Sequence, residues 1–198
     1  MGIERLTRWH RDDRSTAFGW NPTLLRDAIR LATFWAVAIW QGGFVFYSGF
    51  VVKIGSWELK SDLQQGFITR RVTLELETLG WIALGVWAMS LWTTHFSRRP
   101  LRVAAAVLWC VVVAFHLGLH FQWHAVDRTL DVATRGIRDP AAFATAHRIF
   151  LWAASLQWLL VVILSGVTLQ AWQLEKREGG ASSPSSAPGG RRVPESSD

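Results

Sequence analysis

The 198-residue chain has a single cysteine and two methionines, and it lacks the common catalytic and nucleotide-binding motifs. Because Cys110 is the only cysteine, no intramolecular disulfide bond can form. The sequence contains no phosphate-binding glycine loop, no HExxH helix and no nucleophile elbow. No residue pattern therefore points to a nucleotide-dependent enzyme, a zinc protease or an α/β-hydrolase. We predict a protein without enzymatic activity.

Charged residues make up only 18 % of the chain, and they lie mostly outside four long apolar runs. These runs cover about residues 31–52, 72–92, 103–121 and 149–172. A helix of about 20 apolar residues, rising 1.5 Å per residue, crosses the roughly 30 Å hydrocarbon core of a bilayer. The sequence therefore predicts an all-α integral membrane protein, a four-helix bundle surrounded by the lipid bilayer.

The basic residues are distributed unevenly around the four runs, although the formal net charge is only +6. Of the 21 lysines and arginines, 13 precede the first run, separate the second from the third or follow the fourth. The other two loops hold 8. By the positive-inside rule this asymmetry predicts a multi-pass protein of the cell membrane with both termini in the cytoplasm. It does not indicate a nucleic-acid partner.

The polar ends of the chain flank the predicted membrane domain. Residues 1–20 are predicted to be a polar cytoplasmic arm, and residues 21–175 the four-span transmembrane domain. The first 30 residues are too polar for a cleavable signal peptide, so we expect the first run to be an uncleaved anchor. Residues 176–198 are rich in Gly, Ser and Pro from Gly179 onward and are predicted to form a disordered tail.

Local signals place helix starts between the runs. Asp139 followed by Pro140 is typical of an N-cap and a first helical residue, and Ser61 with Gln64 resembles a capping box. No helix-breaking residue separates the third run from Gly136. We therefore expect the third and fourth helices to extend beyond the membrane on the outer side as a helical hairpin that turns at residues 136–139.

A stripe of ionisable residues follows one face of the predicted third helix. Its members recur at intervals of three or four residues, which keeps them within roughly 80° around the helix axis. Ionisable residues within membrane spans usually face the protein interior, because exposure to lipid is costly. The stripe is therefore expected to point into the bundle. It comprises His116, His120, His124, Asp127 and Asp131.

The register of antiparallel helices predicts the neighbours of this stripe. A cytoplasmic turn near residues 96–100 places Glu77 at the level of His120 and Glu75 near the level of Gln122. An outer turn near residues 137–138 places His147 within roughly 5 Å, along the axis, of the level of His124. The predicted cluster at the outer membrane boundary comprises His120, His124, His147, Glu75 and Glu77.

Several interpretations of this cluster are open at the level of sequence. In the first interpretation, the cluster is a structural or partner-binding polar network, in which Glu75 or Glu77 pairs with a nearby arginine. Alternatively, His120, His124 and His147, with Glu75 or Glu77, supply ligands to Zn or Cu(II), which accept imidazole nitrogen and carboxylate oxygen. A further alternative is a b-type haem held between His124 and His147, or a proton relay through the same groups. Another membrane protein or a second copy of the chain is the expected kind of protein partner.

Three segments carry a resemblance to a known family. They are Trp-Gln-Gly-Gly-Phe-Val-Phe-Tyr-Ser-Gly-Phe-Val-Val at 40–52, Gln-Gly-Phe-Ile-Thr-Arg-Arg-Val-Thr at 65–73 and Ala-His-Arg-Ile-Phe-Leu-Trp at 146–152. Over about residues 28–172 the chain resembles the transmembrane protein 205-like family of small four-span proteins of unknown function. It is more distantly similar to the membrane domain of copper resistance protein D, which implies copper handling. The chain departs from that pattern because its only methionines are Met1 and Met89.

Overall fold

The computed structural model describes residues 22–96, 98–131, 133–134 and 136–181. The predicted N-terminal arm and the chain beyond Ala181 lie outside these residues. The last helix continues six residues past the predicted domain boundary at 175, through Lys, Arg and Glu side chains that favour helix. The helical elements are α1 (Pro22–Phe46), a π-helical segment (Tyr47–Val51), α2 (Val52–Leu59), α3 (Asp62–Thr93), α4 (Arg99–Arg128) and α5 (Pro140–Ala181).

Four helical segments are long and apolar enough to cross a membrane. They are Thr23–Leu59, Leu63–Thr93, Arg99–Arg128 and Pro140–Glu178, with mean hydropathies of 1.4, 1.3, 2.1 and 2.0. The first combines α1, the π-helical segment and α2 into one continuous rod. The predicted all-α four-helix membrane bundle is confirmed. The third and fourth spans also extend well past their apolar runs, as predicted.

The bundle consists of two antiparallel helix pairs, α1 with α3 and α4 with α5. Contacts between α3 and α4 hold the two pairs together. The core between the pairs contains side chains that are at most 2 % exposed. Since lipid tails are as apolar as these side chains, close packing and interhelical hydrogen bonds stabilise the association of the helices. The most deeply buried large side chains are Trp87, Leu84, Leu164, Val112 and Val161.

The two ends of the bundle are distinct. At the end we call the hairpin end, a turn at Lys60 and Ser61 joins α2 to α3, and residues 129–139 join α4 to α5. Lys60 adopts a left-handed conformation with φ of 49°, which ends α2. At the opposite end, which we call the Glu175 end, α3 and α4 are joined by residues 94–98.

Both helix starts predicted at the hairpin end are confirmed. The Ser61 hydroxyl accepts a hydrogen bond from the Gln64 backbone N–H at 3.3 Å. Asp139 Oδ1 accepts from the backbone N–H groups of Ala141 and Ala142, at 3.0 and 2.9 Å. These acceptors satisfy N–H groups that the first turn of a helix leaves without partners.

The predicted continuation of the third helix to Gly136 is wrong. Helix α4 ends at Arg128, and an antiparallel hairpin of β1 (Leu130–Asp131) and β2 (Gly136–Ile137) follows. The cause is local. Asp131 Oδ1 accepts from the backbone N–H groups of Ala133 and Thr134, at 3.1 and 3.4 Å, and so offers the backbone an alternative to the helix. The connection between α4 and α5 is therefore wider than a tight helical turn.

Candidate functional site

His116 occupies the centre of the bundle, with only 3 % of its surface exposed. Its Nε2 lies 3.1 Å from the backbone carbonyl oxygen of Glu77 on α3. Because a carbonyl oxygen can only accept, Nε2 carries the proton and donates it. The other ring nitrogen, Nδ1, accepts from the Gln157 side-chain amide of α5 at 3.0 Å. Both ring nitrogens are thus satisfied, and one neutral imidazole joins three helices.

Two tryptophans and a glycine enclose the His116 ring. Trp81 and Trp40 meet it edge to face, with ring centroids 4.7 and 5.4 Å away. Gly80 lies beside it on α3, and a Cβ atom at that position would stand 2.5 Å from His116 Cε1. The absence of a side chain at residue 80 is therefore what allows the imidazole to lie against α3.

Glu77 and His120 form the next layer of the network toward the hairpin end. His120 Nδ1 donates to the Glu77 carboxylate, whose side chain is only 10 % exposed. The predicted register of α3 and α4 is thus confirmed. The His120 ring also meets the ring of His124 edge to face at 4.7 Å, and His124 is exposed on the bundle surface. The network therefore runs from the core of the bundle to its surface.

The other members of the predicted cluster lie apart from this network. Glu75 pairs with Arg71 at 2.7 Å on the exposed face of α3. His147 stacks on Phe143 of its own helix, with ring centroids 5.5 Å apart. Across residues 22–96, 98–131, 133–134 and 136–181, no three His, Cys, Asp or Glu side chains are grouped so that they could hold a metal ion. The structure thus brings together Glu77, His120 and His124, but not all five predicted ligands.

The predicted inward stripe on α4 is confirmed for His116, His120 and Asp127, which contact α3, whereas His124 is exposed at the surface. Asp127 pairs with Arg70 of α3, whose guanidinium group also lies 5.8 Å from the centre of the Trp123 ring. Asp131 lies beyond the end of α4, in β1. Hydrogen bonds from Thr134, and to a lesser extent from Ala133, hold the pKa of the Asp131 carboxyl below its usual value.

A cavity of about 20 Å³ adjoins Gln157 on the side of α1. This volume is sufficient for about one water molecule. Gln41, which also lines the cavity, has a buried Oε1 atom without a hydrogen-bond partner among the described residues. The Gln157 amide, in contrast, is paired with His116 of α4. This cavity is too small for an organic substrate.

Sequence reasoning missed a second polar centre, at the Glu175 end. The Glu175 carboxylate of α5 pairs with both Arg26 and Arg30 of α1. Arg30 is 7 % exposed and lies over the Trp172 ring, 5.6 Å from its centre. In the sequence these arginines look like ordinary charges beside a membrane span. The only available signal is that Arg26 and Arg30 are one helical turn apart and so share a face of α1.

The fold and this polar network define the class of protein: an all-α, multi-pass integral membrane protein with four spans. A comparison with protein families, characterised proteins and solved structures finds no match to the chain.

Proposed function

We propose that the chain is a non-enzymatic membrane protein whose His/Glu cluster is a structural polar network that also reaches a partner-accessible surface. The observation that carries this proposal is the arrangement around His116. Both nitrogens of its ring are committed to hydrogen bonds with Glu77 and Gln157. A ligand for a metal or haem iron needs a free nitrogen lone pair, and this imidazole has none to spare.

The surroundings of the network support the same proposal. The Glu77 carboxylate is occupied by His120, and the adjoining cavity has the size of one water molecule. Interhelical hydrogen bonds of this kind stabilise membrane bundles and fix the register of their helices. The exposed ring of His124 continues the network to the surface of the hairpin end, where another membrane protein or a second copy of the chain has access to it.

Replacing Glu77 by Gln tests this role. The substitution weakens the hydrogen bond between residue 77 and His120 of α4. We therefore expect the free energy of unfolding in detergent micelles to fall by about 1–3 kcal/mol. The matched control is Glu75→Gln, on the same helix but in an exposed pair, for which we expect a change of at most about 0.5 kcal/mol. Metal content measured on the same samples separates the alternatives. If the wild type contained stoichiometric metal and the Glu77→Gln variant did not, the proposal of a structural network would be contradicted.

We also propose that both termini face the cytoplasm, since the Glu175 end and the adjoining chain carry most of the basic residues. A fluorescent protein that matures only in the cytoplasm, fused after Asp198, is expected to be bright. Alkaline phosphatase, which is active only outside the cytoplasm, is expected to be inactive at the same position. The same two reporters inserted after Thr134, in the β1–β2 loop, should give the opposite pattern. Reversed signals at both positions would overturn this orientation.

A further inference from the structure

An open groove lies at the hairpin end, between α2 and the first turns of α3. Its volume is about 340 Å³, within the range of small-molecule sites. Nearly all of its exposed lining is apolar, and Ile54 and Ile68 on its two sides are 55 % and 45 % exposed. The groove begins at Val51, the last residue of the π-helical segment. Insertions of this kind in helices are frequent at functional sites.

A buried amide lies behind the apolar lining. Gln65 is only 4 % exposed, yet its Nε2 has no hydrogen-bond partner among the described residues. The amide lies directly against α2 at Gly55, where a Cβ atom would stand 1.9 Å from Gln65 Oε1. Buried amide donors in proteins are almost always paired. The amide therefore holds an unpaired donor directly behind the lining of the groove, which a rotation of the Gln65 side chain would bring to an acceptor from outside the chain.

The position of the groove along the bundle indicates the chemistry of that acceptor. The helix runs for about 20 residues from Leu31, the first position after the buried Arg30, to the end of the π-helical segment at Val51. This length crosses the hydrocarbon core and places α2 in the interfacial layer of the bilayer. Trp57 of α2 is 79 % exposed, as is usual for tryptophans in that layer. The acceptors at this depth are the glycerol-ester carbonyl groups of phospholipids, and acyl chains lie immediately beneath them.

We propose that the groove is a binding site for one phospholipid molecule. An acyl chain lies between Ile54 and Ile68, and an ester carbonyl accepts a hydrogen bond from Gln65 Nε2. Glu58 lines the same groove. Its carboxylate disfavours a free fatty acid, whose own carboxylate would meet a like charge, and favours an esterified lipid with an ammonium-bearing headgroup.

Native mass spectrometry of the full-length protein, titrated with palmitoyl-oleoyl phosphatidylethanolamine after removal of lipid, tests the site. We expect the wild type to bind one molecule ahead of all others. Gln65→Leu should weaken this first binding step about tenfold, which corresponds to the loss of about one hydrogen bond. Ile68→Trp, which fills the groove with a larger side chain, should abolish preferential binding of the first lipid.

The matched control is Ile163→Trp on α5, since Ile163 is also 45 % exposed and lies outside the groove. This variant should bind the first lipid like the wild type, and both tryptophan variants should retain the helical circular dichroism of the parent. The proposal is overturned if the wild type binds successive lipids with equal affinity. It is also overturned if Ile68→Trp binds the first lipid as well as Ile163→Trp does.

Discussion

Glu175→Gln is expected to lower the free energy of unfolding in detergent micelles by about 3–5 kcal/mol, because it leaves the buried guanidinium group of Arg30 and the half-buried one of Arg26 without their shared carboxylate. The Arg30 and Glu175 side chains are 8 % and 12 % exposed, so water cannot replace the lost partner efficiently. The pairing also connects α1 to α5, which no loop joins directly. Denaturation monitored by circular dichroism measures this loss.

The same change at Glu75 serves as the control for this prediction. Glu75 and Arg71 are 58 % and 74 % exposed, and ion pairs with this exposure contribute little to stability. We expect Glu75→Gln to unfold within about 0.5 kcal/mol of the wild type. Equal effects at positions 75 and 175 would show that the two-arginine pairing does not hold α1 and α5 together.

Gly80→Ala is expected to cost about 2–4 kcal/mol, which combines the strain of overpacking with the loss of a hydrogen bond. The new methyl group would stand 2.5 Å from His116 Cε1 and 2.9 Å from Trp40 Cε2. His116 can move away only by leaving the Glu77 carbonyl or the Gln157 amide. The unfolding free energy of the variant measures the effect.

Gly85→Ala, five residues along the same helix, is the matched control. A Cβ atom there meets nothing within 4 Å. Alanine favours helix over glycine by about 1 kcal/mol, so this variant should be as stable as the wild type or slightly more stable. If Gly80→Ala were equally well tolerated, the tight placement of the imidazole against α3 would be refuted.

The membrane bundle and part of the network could be predicted from the sequence because both depend on simple periodicities. Apolar runs of sufficient length define the spans, and a short turn between two straight antiparallel helices fixes their register. For this reason Glu77 could be placed opposite His120. The same reasoning overestimated the length of α4. It counted residues that break helices and gave no weight to Asp131, whose side chain bonds the local backbone.

The pairing of Glu175 with Arg26 and Arg30 could not be predicted in this way. Helices α1 and α5 are distant in sequence and are not joined by a turn, so no register relates their residues. The role of Gly80 was equally hidden. Glycines are common in membrane spans, and only the packed structure shows which one faces an imidazole. The placement of His147 against Phe143 likewise depends on side-chain packing rather than on its level along the axis.

The most direct test of the account is the absorption spectrum of the purified protein, oxidised and dithionite-reduced, with metal analysis of the same sample. The account predicts a spectrum of aromatic side chains alone and no stoichiometric metal, because the hydrogen bonds of Glu77, His116 and Gln157 are made within the bundle. A Soret band that sharpens on reduction would contradict it and implicate His124 and His147 as haem ligands. Stoichiometric zinc or copper that disappears in the His120→Ala variant would contradict it equally.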